Sequence, residues 1–337
     1  MKNYAVVMPS REHAALESYD FPSEPEGDQV LIKTDYSAIS AGTEIANWHG
    51  LPNTNDRGDV WPRYTGYSSV GHVVKAGPEV KELALGDHVL VTWGGHRAYF
   101  MEHEKHVFKF DSALDEREVA FANIVTFAFL GVRKLNLQLG ECAMIAGLGL
   151  LGVFAVQLAG LSGAYPVIAA DFSPERRKLA LELGADFVFD PGEPDFIAKV
   201  RAVSGGNGPD GVVEVTGSII ALQQALEYIA WEGRITLLGC TRVSDRTIDY
   251  YKYVHRRGIT LIGCHTATRP AFESRPGKWT QKDDIAVFLK FLAAKKFRVL
   301  PVISREVSPR DAAEVYAAIG NSGNPPLGNV FDWRDIE

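Results

Sequence analysis

Apolar and polar positions change rhythm twice along this chain. Up to about residue 109, short apolar runs alternate with turn residues: 4–9 (YAVVMP), 29–40 (QVLIKTDYSAIS), 68–77 (SSVGHVVKAG), 87–92 (DHVLVT) and 97–103 (RAYFMEH). This pattern predicts strands of a β-rich barrel or sandwich, with turns at Gly27-Asp28 and Gly86-Asp87. Helical spacing over 116–135 predicts one long helix. From Cys142 six apolar runs (142–147, 166–171, 186–190, 211–217, 234–240 and 259–264) alternate with helical ones at 150–163, 174–184, 195–205, 220–231 and 247–258. Strands apolar on both faces belong to a parallel sheet covered by helices. Two further helices are expected at 283–297 and 309–320, with Ser173-Pro174 and Ser308-Pro309 as helix starts.

Length and composition narrow the class. The 337 residues suggest two domains, and 46% hydrophobic with 23% charged residues describes an ordinary globular chain. A net charge of −7 provides no basic field for nucleic acid. Cys142, Cys240 and Cys264 are too few and too scattered for a disulfide framework or a zinc cluster, which suits a reducing, cytoplasmic setting. The N-terminal residues show no secretory leader pattern. Residues 143–164 are uncharged and long enough to span a bilayer, but Gly147, Gly149, Gly152, Gly160 and Gly163 favour strand, glycine turn and buried helix instead.

That turn carries the clearest chemistry. Gly147-Leu148-Gly149-Leu150-Leu151-Gly152 spells GxGxxG directly after a predicted strand and at the start of a predicted helix. Its glycines permit the tight bend, the approach of a pyrophosphate and close helix–strand packing, while the helix N-terminus offers N–H donors. Asp171 ends the next strand, 19 residues after Gly152, where a carboxylate would hold the adenosine ribose hydroxyls. An anion there disfavours the 2′-phosphate of NADP, so NAD is the expected cofactor. Arg176 is a further cofactor candidate, although the helix face predicts that Arg176 and Arg177 are solvated.

With these pieces in order, the chain resembles the medium-chain dehydrogenase/reductase superfamily, the relatives of zinc alcohol dehydrogenase, over nearly its whole length. The segments SAISAGTE and GYSSVG are similar to a branch around bacteriochlorophyllide dehydrogenases and sugar dehydrogenase-like proteins. The resemblance implies an α/β protein: a GroES-like β-rich catalytic domain (1–118 and 267–337) and a Rossmann domain (119–266) with a doubly wound six-stranded parallel sheet. It also implies an active site in the cleft between them and a homodimer or homotetramer. Through EVTG and RITLLGC it places Thr216, Gly217, Leu238 and Gly239 along the cofactor.

The departures from the family pattern concern the metal. Where the family has Cys-Gly-Ser/Thr-Asp, this chain has Ala41-Gly42-Thr43-Glu44, and the Gly-His-Glu stretch is Gly66-Tyr67-Ser68. The third ligand falls near Ala122 or Asn123, and the four-cysteine lobe before Gly94-Gly95 is missing. No metal is therefore expected, because zinc needs thiolate, imidazole or carboxylate donors.

Without zinc, a side chain must handle the alcohol proton. Tyr67 stands at a former ligand position, and its ordinary pKa near ~10 would need lowering by a cation such as NAD⁺. Thr43 matches the family's proton-relay hydroxyl and Glu44 a largely structural family acid. His49 and His265 are alternatives that titrate near neutrality. Trp48, Arg63, Tyr64, Arg269 and Trp279 are candidates for stacking on and hydrogen bonding to a hydroxylated or anionic small-molecule substrate. The expected activity is zinc-independent, NAD-dependent oxidation of a secondary alcohol of a polyol, sugar or sugar derivative. Reduction of enones or quinones, or nucleotide binding without catalysis, are the rival readings; no nucleic-acid or membrane partner is expected.

Overall fold

A computed structural model describes residues 1–54 and 58–336. The chain forms two compact units, Val125–Val287 and Met1–Ile124 with the chain from Phe288 onward.

The first unit begins with strands β1 (Lys2–Met8), β2 (Ala15–Asp20) and β3 (Gln29–Ile39), helix α1 (Ala41–Trp48), and strands β4 (Arg63–Tyr64), β5 (Ser68–Ala76), β6 (His88–Thr92), β7 (Tyr99–His103) and β8 (Phe108–Lys109). The expected helix over 116–135 is two helices, α2 (Glu116–Val119) and α3 (Ala122–Leu135). A tight bond from the Phe121 N–H to the Glu118 carbonyl ends the first before the second begins.

The second unit alternates β9 (Ala143–Ala146), α4 (Leu150–Leu161), β10 (Val167–Ala170), α5 (Pro174–Glu182), β11 (Phe187–Phe189), α6 (Phe196–Val203), β12 (Gly211–Glu214), α7 (Ile219–Tyr228), β13 (Arg234–Leu237) and β14 (Thr260–Gly263). Helix α8 (Gln281–Ala293) leads back to β15 (Ile303–Val307), α9 (Ala312–Gly320) and β16 (Gly328–Asp332).

Six parallel strands pair in the order β11-β10-β9-β12-β13-β14, the doubly wound arrangement. Chain order reverses beside β9, so the turn after β9 opens at the sheet's switch point. Met144, Ile168, Val212 and Ile235 cover one sheet face under Phe196, Val200, Leu222 and Leu226 of α6 and α7. Ser173 caps α5 by accepting the Arg176 N–H, with Pro174 in the first turn. Over 247–258 the expected helix is a π-helical turn, Tyr251–His255. The uncharged run 143–164 divides into strand, turn and a 12-residue helix, and no helix among the described residues is long and apolar enough to cross a membrane.

In the first unit the β-rich expectation holds. A largely antiparallel sheet runs β15-β16-β3-β5-β6-β8 with β7 also on β3, and a second runs β2-β1-β4. Its core joins Val6, Met8, Ile39 and Trp48 to Tyr316, Phe331 and Trp333 from the C-terminal stretch. Ser308-Pro309 opens a 3-10 turn, Pro309–Asp311, immediately ahead of α9.

Candidate active site

In the second unit the glycine turn is shaped by close approach. Gly147 has φ +98°, and a Cβ there would meet Thr216 Cγ2 at 2.7 Å. A Cβ on Gly152 would lie 2.0 Å from the Gly147 carbonyl oxygen, so both positions exclude side chains. Gly149 starts α4 without a side-chain cap, leaving the first-turn N–H groups available to an anion. Asp171 follows β10 and accepts from the Leu148 N–H (2.8 Å) and the Ser173 N–H (2.9 Å), tying the glycine turn to the end of the next strand. Beside them is an apolar hollow of about 220 Å³ lined by Ala146, Gly147, Asp171, Phe172, Thr216 and Ile220. Its apolar lining and size suit one flat heteroaromatic ring such as adenine beside this turn.

Glu214, at the end of β12, holds the next loop by accepting from the Thr216 N–H, the Thr216 hydroxyl and the Gly217 N–H. Burial pushes its carboxyl pKa up, against those three donors. Gly217 and Gly239 then pack backbone on backbone: a Cβ on Gly239 would sit 2.2 Å from the Gly217 nitrogen. Leu238 is buried beside them.

In the first unit, Thr43, Asn47, Tyr64, Tyr67, Trp93 and Arg97 line a hollow of about 470 Å³. Tyr67 is 7% exposed, and its hydroxyl donates to Ser40 Oγ at the start of α1. Its ring lies 5.2 Å from that of Trp93, tilted by 34°. Trp93 has φ +65°, a left-handed conformation uncommon for a bulky residue. The Arg97 Nε is buried without a hydrogen-bond partner among the described residues.

Behind this wall is a sealed polar network. Glu44 accepts from the Ser40 N–H (2.7 Å), from the Tyr316 hydroxyl and from His96 Nε2, which lies 3.0 Å away. His96 Nδ1 meets Ser37 Oγ at 2.7 Å, and Ser37 Oγ accepts from the Trp333 indole N–H. Burial acts to raise the Glu44 pKa, but the His96 charge and the donated bonds outweigh it and hold the carboxyl below its ordinary value. Burial and then Glu44 push the Tyr316 pKa well above 10, so this phenol remains a donor. Gly66 has φ +93°, and a Cβ there would strike the His96 ring at 2.6 Å. The turn before Tyr67 is thereby fitted to the buried imidazole.

The positions that the resemblance sets at the family's zinc ligands carry other groups. Ala41 has no donor, Tyr67 is bound to Ser40, and Asn123 donates from Nδ2 to the Tyr67 carbonyl oxygen. Ala122 is buried and apolar. Among the described residues no three His, Cys, Asp or Glu side chains group as metal ligands.

Other predicted site residues stand elsewhere. His49 is bound to Glu12 Oε1 (3.0 Å) and the Gly320 carbonyl (3.1 Å) at the end of α1, and it does not line the hollow. His265 is exposed and accepts from the Ala267 N–H. Trp48, expected at the substrate, is 3% exposed in the core, because the α1 face that carries it packs on α9 at Gly320. Arg63 is buried too, donating to the Asn47 and Val60 carbonyls over the Trp61 ring. Arg269 is committed to Thr126, and Trp279 lies 4.0 Å under the Arg133 guanidinium, so both serve packing within the second unit. Tyr64 is exposed and lines the hollow of the first unit. The two arginines predicted to be solvated are not: Arg176 and Arg177 side chains are 17% and 19% exposed. Arg176 comes within 3.9 Å of Asp171, and Arg177 reaches the Asp171 carbonyl and Asp190.

Sequence reading missed Ser40, His96, Arg97, Trp93, Glu214 and Tyr316. The Trp-Gly-Gly-His-Arg run and the acid before Thr216-Gly217 were available as signals. Nothing local marks Tyr316, whose partner is 272 residues away.

Comparison with known proteins agrees with this geometry. A family model described as an alcohol dehydrogenase GroES-like domain matches residues 26–131, and one described as a zinc-binding dehydrogenase matches 151–277. The L-threonine 3-dehydrogenase of Pyrococcus furiosus is 29% identical over 298 residues, covering 78% of this chain and 82% of that protein. The D-guloside 3-dehydrogenase of Escherichia coli K12 is 24% identical, covering 72% and 75%. A Sinorhizobium meliloti 1021 structure described as a zinc-binding dehydrogenase with NADP bound superposes with TM-score 0.82 at 22% identity, covering 98% and 99%. The chain belongs to the zinc-type medium-chain dehydrogenase/reductase superfamily and is an alcohol dehydrogenase-like oxidoreductase that uses a nicotinamide cofactor.

Proposed function

We propose that this protein oxidises a secondary alcohol of a polyol, sugar or sugar derivative, or reduces the matching ketone, with NAD(H) and without zinc. The observation that carries this reading is the replacement of the family's metal ligands by Ala41, Tyr67 and Asn123, with the Tyr67 hydroxyl bonded to Ser40. Both curated relatives named above are dehydrogenases, one acting on a guloside.

When bound, the nicotinamide would supply the hydride acceptor or donor. The chain's own residues manage the proton and the fit. Tyr67 takes the proton of the alcohol as its own hydrogen moves to Ser40 Oγ and the Ser40 hydroxyl hydrogen leaves to solvent; ketone reduction runs the same transfers in reverse. Glu44 and His96 hold the backbone of Ser40 and the Gly66-Tyr67 turn in place. The Trp93–Tyr67 wall offers an aromatic face to a sugar ring, and the Arg97 guanidinium, which lines the same hollow, a donor to a substrate oxygen. In the other unit, Gly147, Gly149, Gly152 and the α4 N-terminus hold the pyrophosphate, and Asp171 the ribose hydroxyls. Asp171 repels a 2′-phosphate, while Arg176 at 3.9 Å softens that repulsion, so NAD selectivity is moderate. The family likeness also supports a homodimer or homotetramer, checked by light scattering.

The test is a rate measurement with NAD⁺ or NADP⁺ over a polyol and sugar panel, beside NAD(P)H with enones and quinones. Alcohol oxidation preferring NAD⁺ supports the proposal; enone reduction alone overturns it.

A further inference from the structure

The six-stranded sheet has a second hollow at its other edge. Gly147, Asp171 and Thr216 follow the carboxyl ends of their strands, whereas this hollow is built before the amino ends of β12, β13 and β14. It measures about 650 Å³ and is lined by Arg201, Asn207, Glu227, Trp231, Lys252 and Arg257 among others. Since the strands are parallel, it cannot belong to the cofactor turn.

Its charge runs against that of the molecule. The chain carries −7 overall, yet three cations meet here around one lining carboxylate, Glu227. Among the described residues none of the three forms an ion pair with Asp or Glu. The arginines are fixed in place: Arg257 donates to the Leu226 and Ile229 carbonyls and Arg201 to the Glu227 carbonyl, all at the end of α7. That helix end and Glu227 offset only part of three full charges. A guanidinium has five N–H donors, so both keep donors beyond these bonds. Burial and then the Arg201 charge lower the Arg257 pKa, the cost of bringing like charges together, while Tyr253, Asp249 and Glu227 act to raise that of Lys252.

Two further features surround the cations. Gly205, Gly206 and Gly208 all have positive φ, and the Gly206 N–H bonds to the Arg201 carbonyl, so the tight loop carrying Asn207 is tied to the arginine's own helix. Lys252 and Tyr253 stand on the π-helical turn, a rare element that recurs at functional sites. The Trp231 indole is 64% exposed on the same wall.

We propose that this hollow binds a phosphomonoester or diphosphate of a small organic molecule, independently of the reaction centre. Guanidinium forks and the ammonium take the phosphate oxygens, and Trp231 and Tyr253 cover the organic part.

The test is calorimetric titration of protein saturated with nicotinamide dinucleotide, at low ionic strength, with pyrophosphate and with glucose 6-phosphate. One saturable site per chain is expected. Arg201→Gln and Lys252→Gln should each weaken both probes at least fivefold while dinucleotide affinity stays unchanged. Trp231→Ala should weaken the sugar phosphate alone. No saturable binding, or binding that neither charge variant weakens, overturns the proposal. A Trp231→Ala variant that binds the sugar phosphate as well as the parent overturns the assignment of the organic part.

Discussion

His96 Nε2 lies 3.0 Å from Glu44 Oε2, and both side chains are sealed from solvent. A buried carboxylate is costly unless every lone pair is used, and here the donors come from Ser40, His96 and Tyr316. The network joins the start of α1, the Gly94-Gly95-His96 segment and α9, which are far apart in sequence.

Glu44→Gln keeps the shape but puts an amide where the charge was satisfied. It should cost about 2–3 kcal/mol of folding stability, read from urea midpoints. The pH dependence fixes the sign. The folded pKa of Glu44 lies below its ordinary 4.5, so its contribution is present above about pH 4.5 and disappears as the pH falls through the lower folded value. Over that acid window the parent should lose its margin over Glu44→Gln.

Tyr67→Phe removes the phenol while keeping the ring against Trp93. We expect turnover to fall by about 100-fold or more, the usual scale of a lost acid–base group, with dinucleotide affinity little changed. Steady-state rates beside a binding titration separate the two effects. Near-normal turnover would remove Tyr67 from the chemistry.

Asp171→Ala deletes both the charge at the ribose position and the acceptor for the Leu148 and Ser173 N–H groups. NAD binding should weaken by about tenfold and NADP binding much less, since one hydrogen-bonded charge is worth roughly 1.5–3 kcal/mol. Dissociation constants for both nucleotides check this; an unchanged ratio would contradict the role given to Asp171.

Gly66→Ala forces a Cβ into the His96 ring at a φ of +93°. A loss of about 2 kcal/mol or more in unfolding free energy is expected, with reduced turnover because Tyr67 is the next residue.

Much of this architecture could be read from the chain. The six apolar runs from Cys142, the GxGxxG turn and Asp171 name the doubly wound unit, because parallel strands and a dinucleotide turn depend on short-range pattern. Strands β15 and β16 and helix α1 escaped, since each is short and packs on partners distant in sequence. Trp48, Arg63 and Arg269 looked like substrate contacts by residue type. Their burial depends on Gly320, the Asn47 carbonyl and Thr126, which no local window shows. Tyr67 stood out because the resemblance sets it at a family ligand position, whereas Ser40, which accepts its hydrogen bond, lies in the other motif, SAISAGTE.

The central claim is that a phenol and its hydrogen-bonded serine handle the proton that zinc handles in metal-bearing relatives. The direct measurement is the rate of NAD⁺ reduction by an active polyol or sugar substrate before and after exhaustive chelation, with the zinc content determined on the same samples. Substoichiometric zinc and an unchanged rate are expected. One zinc per chain, with activity lost on chelation and restored by added zinc, would contradict it.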